Sequence, residues 1–148
     1  MNNVAIPLHE RPTDYVFNMT TLNSSDAKRL WRAAIKEAWK NRCAYCNQPP
    51  IDDKSLTIDH VKPRAKGGED RTTNCIPACR RCNADKGSEL WVSWYRMQPF
   101  YSLEAELRIR HWLKTGQTAL PADGQDNTAW LDQQISALQS EETDSLER

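Results

Sequence analysis

Apolar residues recur at helical spacing in the first third of the chain, after a stretch without periodicity. Residues 1–24 mix prolines, short polar runs and isolated apolar residues, so we expect an irregular arm with room for one short strand. A helix should begin near residue 25, where Ser24 or Ser25 can cap it and Asp26 suits its positive first turn. Its apolar face consists of Trp31, Ile35, Ala38 and Trp39. The opposite face is basic and carries Lys28, Arg32, Lys36 and Lys40. Exposure to solvent explains this face most simply, and contact with DNA is the alternative.

Two short apolar runs predict strands. Residues 56–58 form one strand, which runs into Asp59 and His60, and residues 75–77 form the second. Pro63 and the glycines at 67 and 68 favour a loop between them. A helix is expected from 79 to 86, and Gly87 can end or bend it.

The second half of the chain reads as helical. Helices are predicted over 89–97, over 103–114 between a Ser102 cap and a stop at Gly116, and over 128–138. The dense aromatic run from 91 to 101 should pack against these helices because its spacing is helical, although such rings also stack on bases. We therefore divide the chain into an arm (1–24), a core with its preceding helix (25–97), a helical extension (98–140) and an acidic tail (141–148).

Composition narrows the class of protein. At 148 residues the chain suits one small domain with extensions. No window approaches the roughly 18 apolar residues of a membrane span, and residues 1–10 lack the basic start and apolar core of a secretory signal. We therefore expect a cytoplasmic protein that does not contact a membrane.

Charge is unevenly distributed although the net charge is zero. Residues 26–97 carry 15 lysines and arginines against 9 acids, whereas residues 98–148 carry 4 against 9. A basic centre beside an acidic end is typical of polyanion-binding proteins, and ordinary surface unevenness explains it equally well.

Four of the five cysteines form two Cys-x-x-Cys pairs. This spacing lets both thiolates of a pair reach one ion, and two pairs complete the closed tetrahedron of structural zinc. Without a secretory signal, metal binding is favoured over disulfides. Zinc binding worth about 10–16 kcal/mol would decide whether so small a core folds. The ligands are Cys43, Cys46, Cys79 and Cys82, while Cys75 reads as a small buried residue.

The segment between the cysteine pairs carries a second motif. It reads LTIDHVKPRAKGGED over residues 56–70, followed by Asn74 and by NADKG over 83–87. Together with the cysteines, this segment resembles the HNH nuclease motif over about residues 42–88. The resemblance implies an α+β chain built on a ββα-metal core, with a four-cysteine zinc site and flanking helices.

The resemblance also implies roles for four residues. His60 would be the general base that activates water, and Asn74 would brace the loop and orient His60. Asp59 and Asn83 would hold a catalytic ion, and their hard oxygens suit Mg²⁺ or Mn²⁺. An imidazole with an ordinary pKa near 6.5 accepts a proton at neutral pH. Because adjacent strand residues point to opposite faces, a site shared by Asp59 and His60 requires the strand to end or distort there.

Other features of the segment leave alternatives open. The third motif residue is asparagine instead of histidine, which shifts the expected metal from nickel or zinc toward magnesium. His60 could ligate zinc only by displacing a cysteine. Phosphate contacts are expected from Lys62, Arg64, Lys66, Arg81 and Lys86. For each of these residues, simple exposure to solvent is the alternative.

The sequence thus predicts a metal-dependent DNA endonuclease that acts on duplex DNA. The alternative is a zinc module that binds nucleic acid without cutting it, which would not need the set formed by Asp59, His60 and Asn83. Small free-standing proteins with this motif resemble homing endonucleases of phages and mobile elements, nicking enzymes of phage packaging and small restriction enzymes, and the sequence fits all three.

Overall fold

The computed structural model describes residues 7–15, 23–52, 55–118 and 136. Within them, an antiparallel pair of strands is surrounded by four helices, which confirms the α+β class. The elements are α1 (Ser24–Ala38), β1 (Leu56–His60), β2 (Cys75–Cys79), α2 (Arg80–Lys86), α3 (Trp91–Arg96) and α4 (Leu103–Thr115). Two 3₁₀ turns, Arg64–Lys66 and Thr72–Asn74, lie in the loop between the strands.

The two strands pair over their full length. Leu56 lies opposite Cys79 and His60 lies opposite Cys75, so the regular ladder reaches the last residue of β1. After β2, the chain enters α2 directly, with Cys79 as the N-cap of that helix. On the outer edge of β2, Ala44 donates its N–H to the carbonyl of Pro77 at 2.9 Å, which fixes the first cysteine pair against the sheet.

Helix α1 packs the predicted apolar face into the core. Trp31 and Ile35 are almost fully buried, and the Trp31 indole donates to Thr72 Oγ1 at 3.0 Å. The prediction of the cap was wrong: Asn23, with an extended backbone, accepts the Asp26 N–H at 2.9 Å. Both serines that were expected to cap already belong to the helix.

The arm is less detached than the sequence predicts. Its described part, residues 7–15, contains no strand, and Tyr15 is fully buried. The Thr72 N–H donates to the carbonyl of Glu10 at 2.9 Å. Residues 7–15 therefore belong to the folded body.

The aromatic run packs as predicted. Trp94 and Tyr95 of α3 are buried, and the Tyr45 ring lies 5.0 Å from Trp94 and 5.3 Å from Tyr95. Helix α3 is shorter than expected, since Leu90 is its exposed cap residue. Helix α4 has the predicted Ser102 cap and ends at Gly116, whose φ of +70° suits glycine.

Apart from residue 136, the helix predicted over 128–138 lies outside the described residues, as does the tail over 141–148, and the four segment boundaries stay predictions. In the part of the chain that the structure describes, none of the helices has the length and apolar character that crossing a membrane demands.

Candidate active site and metal centre

The four paired cysteines converge on one point. Cys43 and Cys46 come from the turn between α1 and β1, Cys79 ends β2, and Cys82 lies in the first turn of α2. Their sulfur atoms all lie within 4.8 Å of one another, and the Cys46 and Cys79 sulfurs are 3.9 Å apart. Tetrahedral zinc with bonds of about 2.3 Å separates its sulfur ligands by about 3.8 Å. The cluster therefore fits a metal ion of that size.

Position separates the fifth cysteine from the cluster. Within the cluster, the hydrogen bond with Cys82 lowers the pKa of the Cys43 thiol to about 5 and raises that of Cys82, whereas burial raises the pKa of Cys46 to about 11. Burial raises the pKa of Cys75 to about 12, and this thiol lies outside the cluster. Cys75 is a small buried residue, as the sequence predicts.

Asp59 is buried on the side of β1 that faces α2. Its Oδ2 accepts a hydrogen bond from the Tyr45 hydroxyl at 2.7 Å, and Lys86 Nζ lies 3.2 Å from its Oδ1. Lys86 also donates to the carbonyl of His60 at 3.3 Å, and its side chain has no exposed surface. This corrects the expectation that Lys86 contacts phosphates, because its ammonium group is buried in an ion pair with Asp59.

Asn83 faces the same side of β1 from α2. Its Nδ2 donates to Thr57 Oγ1 at 2.8 Å and lies 3.4 Å from the Ile58 carbonyl, which leaves Oδ1 as the atom free for a cation. Each Asp59 oxygen keeps a second lone pair beside its hydrogen bond. The donor set of Asp59 and Asn83 therefore fits a hard divalent ion, although such an ion would share Asp59 with Lys86.

The His60 ring lies on the opposite side of β1, toward α1. Its Nε2 is 2.7 Å from Asp70 Oδ1 and 3.2 Å from Arg64 Nε. Nε2 either donates to Asp70 or accepts from Arg64, and the shorter contact places the proton on Nε2. Nδ1, which has no hydrogen-bond partner among the described residues, then carries the lone pair.

Asp70 is the residue that sequence reasoning missed. Its carboxylate contacts His60, Arg64 at 2.6 Å and Lys28 at 3.7 Å. Burial alone would raise its pKa, but the hydrogen bonds from His60 and Arg64 outweigh burial and lower it. The available signal was its position in the motif, two residues after the paired glycines, to which no role was assigned.

Asn74 joins the two ends of the loop. Its Oδ1 accepts from the Lys62 N–H at 2.9 Å, while its Nδ2 donates to the carbonyls of Lys62 and Glu69, each at 3.1 Å. Asn74 holds the loop that carries Arg64 and Asp70, and it reaches His60 through these residues without touching the ring.

The remaining basic candidates are exposed. Lys62, Arg64 and Lys66 lie in the loop after β1, and Arg81 lies on α2. No contact in the described residues joins the His60 ring to Asp59 or Asn83, and β1 ends at His60. The sequence-predicted residues thus gather around the carboxyl end of one strand, divided between its two faces.

Comparison with known proteins identifies this segment. Residues 43–89 match the family model described as HNH endonuclease. A curated protein of Bacillus subtilis (strain 168), the SPbeta prophage-derived putative HNH endonuclease YoqL, is 33% identical over 92 residues. That match covers 53% of this chain and only 37% of the relative.

A solved structure is also similar. The Type IV phosphorothioation-dependent restriction endonuclease ScoMcrA shares 26% identity, with a TM-score of 0.37, over 58% of this chain and 19% of its own. The family match coincides with the two cysteine pairs and the strands between them. Over this segment, about a third of the chain, the sequence is therefore similar to the HNH endonuclease family.

Proposed function

We propose that the protein hydrolyses phosphodiester bonds of duplex DNA, with His60 as the general base. The observation that carries the proposal is the contact between His60 Nε2 and Asp70 Oδ1 at 2.7 Å, inside the segment that matches the HNH endonuclease family model. A carboxylate that holds one ring nitrogen fixes the ring and leaves the other nitrogen to accept a proton. This arrangement is one that catalysis needs and that binding alone does not.

The reaction follows from that arrangement. Nδ1 of His60 accepts a proton from water while the water oxygen bonds to phosphorus. The bond from phosphorus to the leaving 3′-oxygen breaks, and that oxygen takes a proton from solvent. General-base catalysis of this kind contributes about 10²–10⁴-fold to the rate.

A divalent ion, Mg²⁺ or Mn²⁺, is proposed to bind Asp59 and Asn83. Such an ion would polarise the scissile phosphate and stabilise charge on the leaving oxygen. Because β1 ends at His60, a phosphate would meet both this ion and the His60 ring only where it crosses the end of the strand. Lys86 and Tyr45 orient Asp59, and Thr57 turns the Asn83 amide so that its oxygen is the available atom. Asn74 braces the loop that presents Asp70 to His60. The four cysteines are proposed to hold zinc, which ties α2 to the sheet.

A zinc module that binds nucleic acid without cutting it is the second candidate. It is favoured by one observation: both oxygens of Asp59 already have hydrogen-bond partners. The resemblance to a prophage-derived relative supports a role in a phage or mobile element for either candidate.

A nicking assay distinguishes the two candidates. Supercoiled plasmid is incubated with the full chain in EDTA, in Mg²⁺ and in Mn²⁺, beside His60→Ala and the control His111→Ala on α4. We expect cutting only with a divalent ion, a loss of at least about 10²-fold in His60→Ala, and parent activity in the control. Retained DNA binding without cutting under any metal condition supports the non-catalytic module instead.

A further inference from the structure

The basic face of α1 leads directly to the side of β1 on which the His60 ring lies. An open cavity of about 1010 Å³ runs along the exposed face of α1. A smaller cavity of about 320 Å³ lies beside it and is lined by His60, Arg64 and Asp70. Arg32, Lys36 and Leu56 line both cavities, so the two form one continuous groove.

Charge along this groove is predominantly positive. Its α1 wall carries four basic and two acidic side chains: Lys28, Arg29, Arg32, Lys36, Asp26 and Glu37. Asp26 is paired with Arg29 at 3.1 Å, and Asp70, farther along, is shared by His60, Arg64 and Lys28. Arg32, by contrast, has neither a hydrogen bond nor an ion pair among the described residues, and its side chain is exposed.

The spacing of these cations matches a phosphate backbone. Lys28, Arg32 and Lys36 follow one another every four residues, which is about 6 Å of rise on a helix. Over the resulting 12 Å or so, a single strand of duplex DNA presents three to four phosphates at about 3.4 Å of axis each. Helix α1 lies outside the segment that matches the family model, so this wall borders the HNH segment without being part of it.

We propose that the face of α1 formed by Lys28, Arg32 and Lys36 binds the phosphates of the DNA strand whose backbone continues to His60. This rests on the proposed function for the identity of the polyanion. Arg32 is the principal contact, because its planar guanidinium is unpaired in the free protein and pairs well with phosphate oxygens.

Binding is measured with a cleavage-dead His60→Ala protein and a short duplex across a salt series. In that background, Arg32→Gln and the double change Arg32→Gln, Lys36→Gln are compared with Lys40→Gln. Lys40 offers the matched control for Arg32→Gln: it is also exposed and loses the same single charge, but it lines a separate cavity with Trp39 and Ala105. Thermal melting of each variant checks that the fold is kept.

We expect each groove substitution to reduce the slope of log affinity against log salt by about 0.9. The double variant should bind at least tenfold more weakly near physiological salt, while Lys40→Gln stays within about twofold of the parent because Lys40 lines a separate cavity. Equal losses in the single variants Arg32→Gln and Lys40→Gln would overturn the assignment of α1.

Plasmid cutting separates this inference from the proposed function. In the active background the double variant should raise KM and leave kcat within a few-fold. Cutting with an unchanged KM contradicts the α1 wall and leaves the nuclease proposal standing. If the protein does not cut under any metal condition but the groove substitutions still weaken DNA binding, the nuclease proposal is contradicted and the binding role of α1 is supported.

Discussion

The ammonium group of Lys86 lies 3.2 Å from Oδ1 of Asp59, and both side chains are almost completely buried. The pair connects the end of α2 to β1, beside the Tyr45 hydroxyl on the other carboxylate oxygen. A buried carboxylate needs a compensating positive charge, and in the free protein Lys86 supplies it. A divalent ion at Asp59 would supply the same charge.

Lys86→Met is therefore expected to destabilise the protein by about 3–5 kcal/mol, because it leaves Asp59 buried without a cation. Mn²⁺ should then raise the melting temperature of the variant more than that of the parent, since the ion replaces the missing charge. Calorimetric melting with and without Mn²⁺ measures both effects. Lys62→Met, which removes an exposed lysine from the loop after β1, serves as the control and should melt like the parent. An equal response of variant and parent to Mn²⁺ contradicts metal binding at Asp59.

Asp70→Asn tests whether the carboxylate positions the His60 ring. The neutral amide holds Nε2 less strongly, so kcat should fall by tenfold or more, within the 10²–10⁴-fold that a general base contributes. KM should not rise, because the substitution removes a negative charge from the groove. Single-turnover cutting with a binding measurement separates these quantities.

The neighbouring acid provides a control for this test. Glu69 is exposed and pairs with Arg71, so Glu69→Gln should retain parent kcat. A variant Asp70→Asn with parent kcat and a changed melting temperature would show that Asp70 only stabilises the loop.

The parts of the fold that sequence predicted are those set by local spacing. The two-residue gap within each cysteine pair predicted that the four thiols form one cluster. The Ser102 cap and the stop at Gly116 predicted the ends of α4 to within a residue. Helical spacing placed Trp31 in the core. Each of these rests on covalent geometry or on one turn of backbone, which a single sequence contains.

The parts that sequence missed depend on contacts between distant residues. Lys86 lies 27 residues after Asp59 and reaches it only because α2 folds back over β1, so the ion pair overrode the expectation of an exposed phosphate contact. Asp70 meets His60 through a loop whose shape depends on Asn74. The regular ladder up to His60 sends its ring and the Asp59 carboxylate to opposite faces, as strand geometry requires.

Removal of one zinc ligand tests the four-cysteine site. Cys46→Ser should lose bound metal and unfold the core, because the binding energy of such a site is about 10–16 kcal/mol and contributes directly to folding. Metal analysis by mass spectrometry and far-ultraviolet circular dichroism measure both outcomes. Cys75→Ala is the control and should keep one zinc per chain, since that thiol lies outside the cluster. Full zinc content in Cys46→Ser with an unchanged melting curve would show that the ligand set is misassigned.

The buried carboxylate of Glu106 gives the contact between α3 and α4 a defined pH dependence. It accepts hydrogen bonds from Arg96 at 2.6 and 2.9 Å, from Tyr101 at 2.9 Å and from Arg110 at 3.2 Å. Burial would raise its pKa, but these partners, Arg96 first, lower it below the usual 4.5.

A lowered pKa in the folded state means that this carboxylate contributes stability above pH 4.5 and loses it as the pH falls further, through the folded-state pKa. Glu106→Gln should therefore be less stable than the parent by about 1–3 kcal/mol at pH 7, and the difference should shrink below pH 4.5. Urea unfolding of both proteins at several pH values from 3 to 7 gives the comparison. Glu104 is exposed and pairs with Arg108, so Glu104→Gln should differ from the parent by less than about 1 kcal/mol at every pH. A difference between Glu106→Gln and the parent that stays constant from pH 7 to pH 3 would mean that the amide replaces the carboxylate fully, and that charge at Glu106 does not hold α3 to α4.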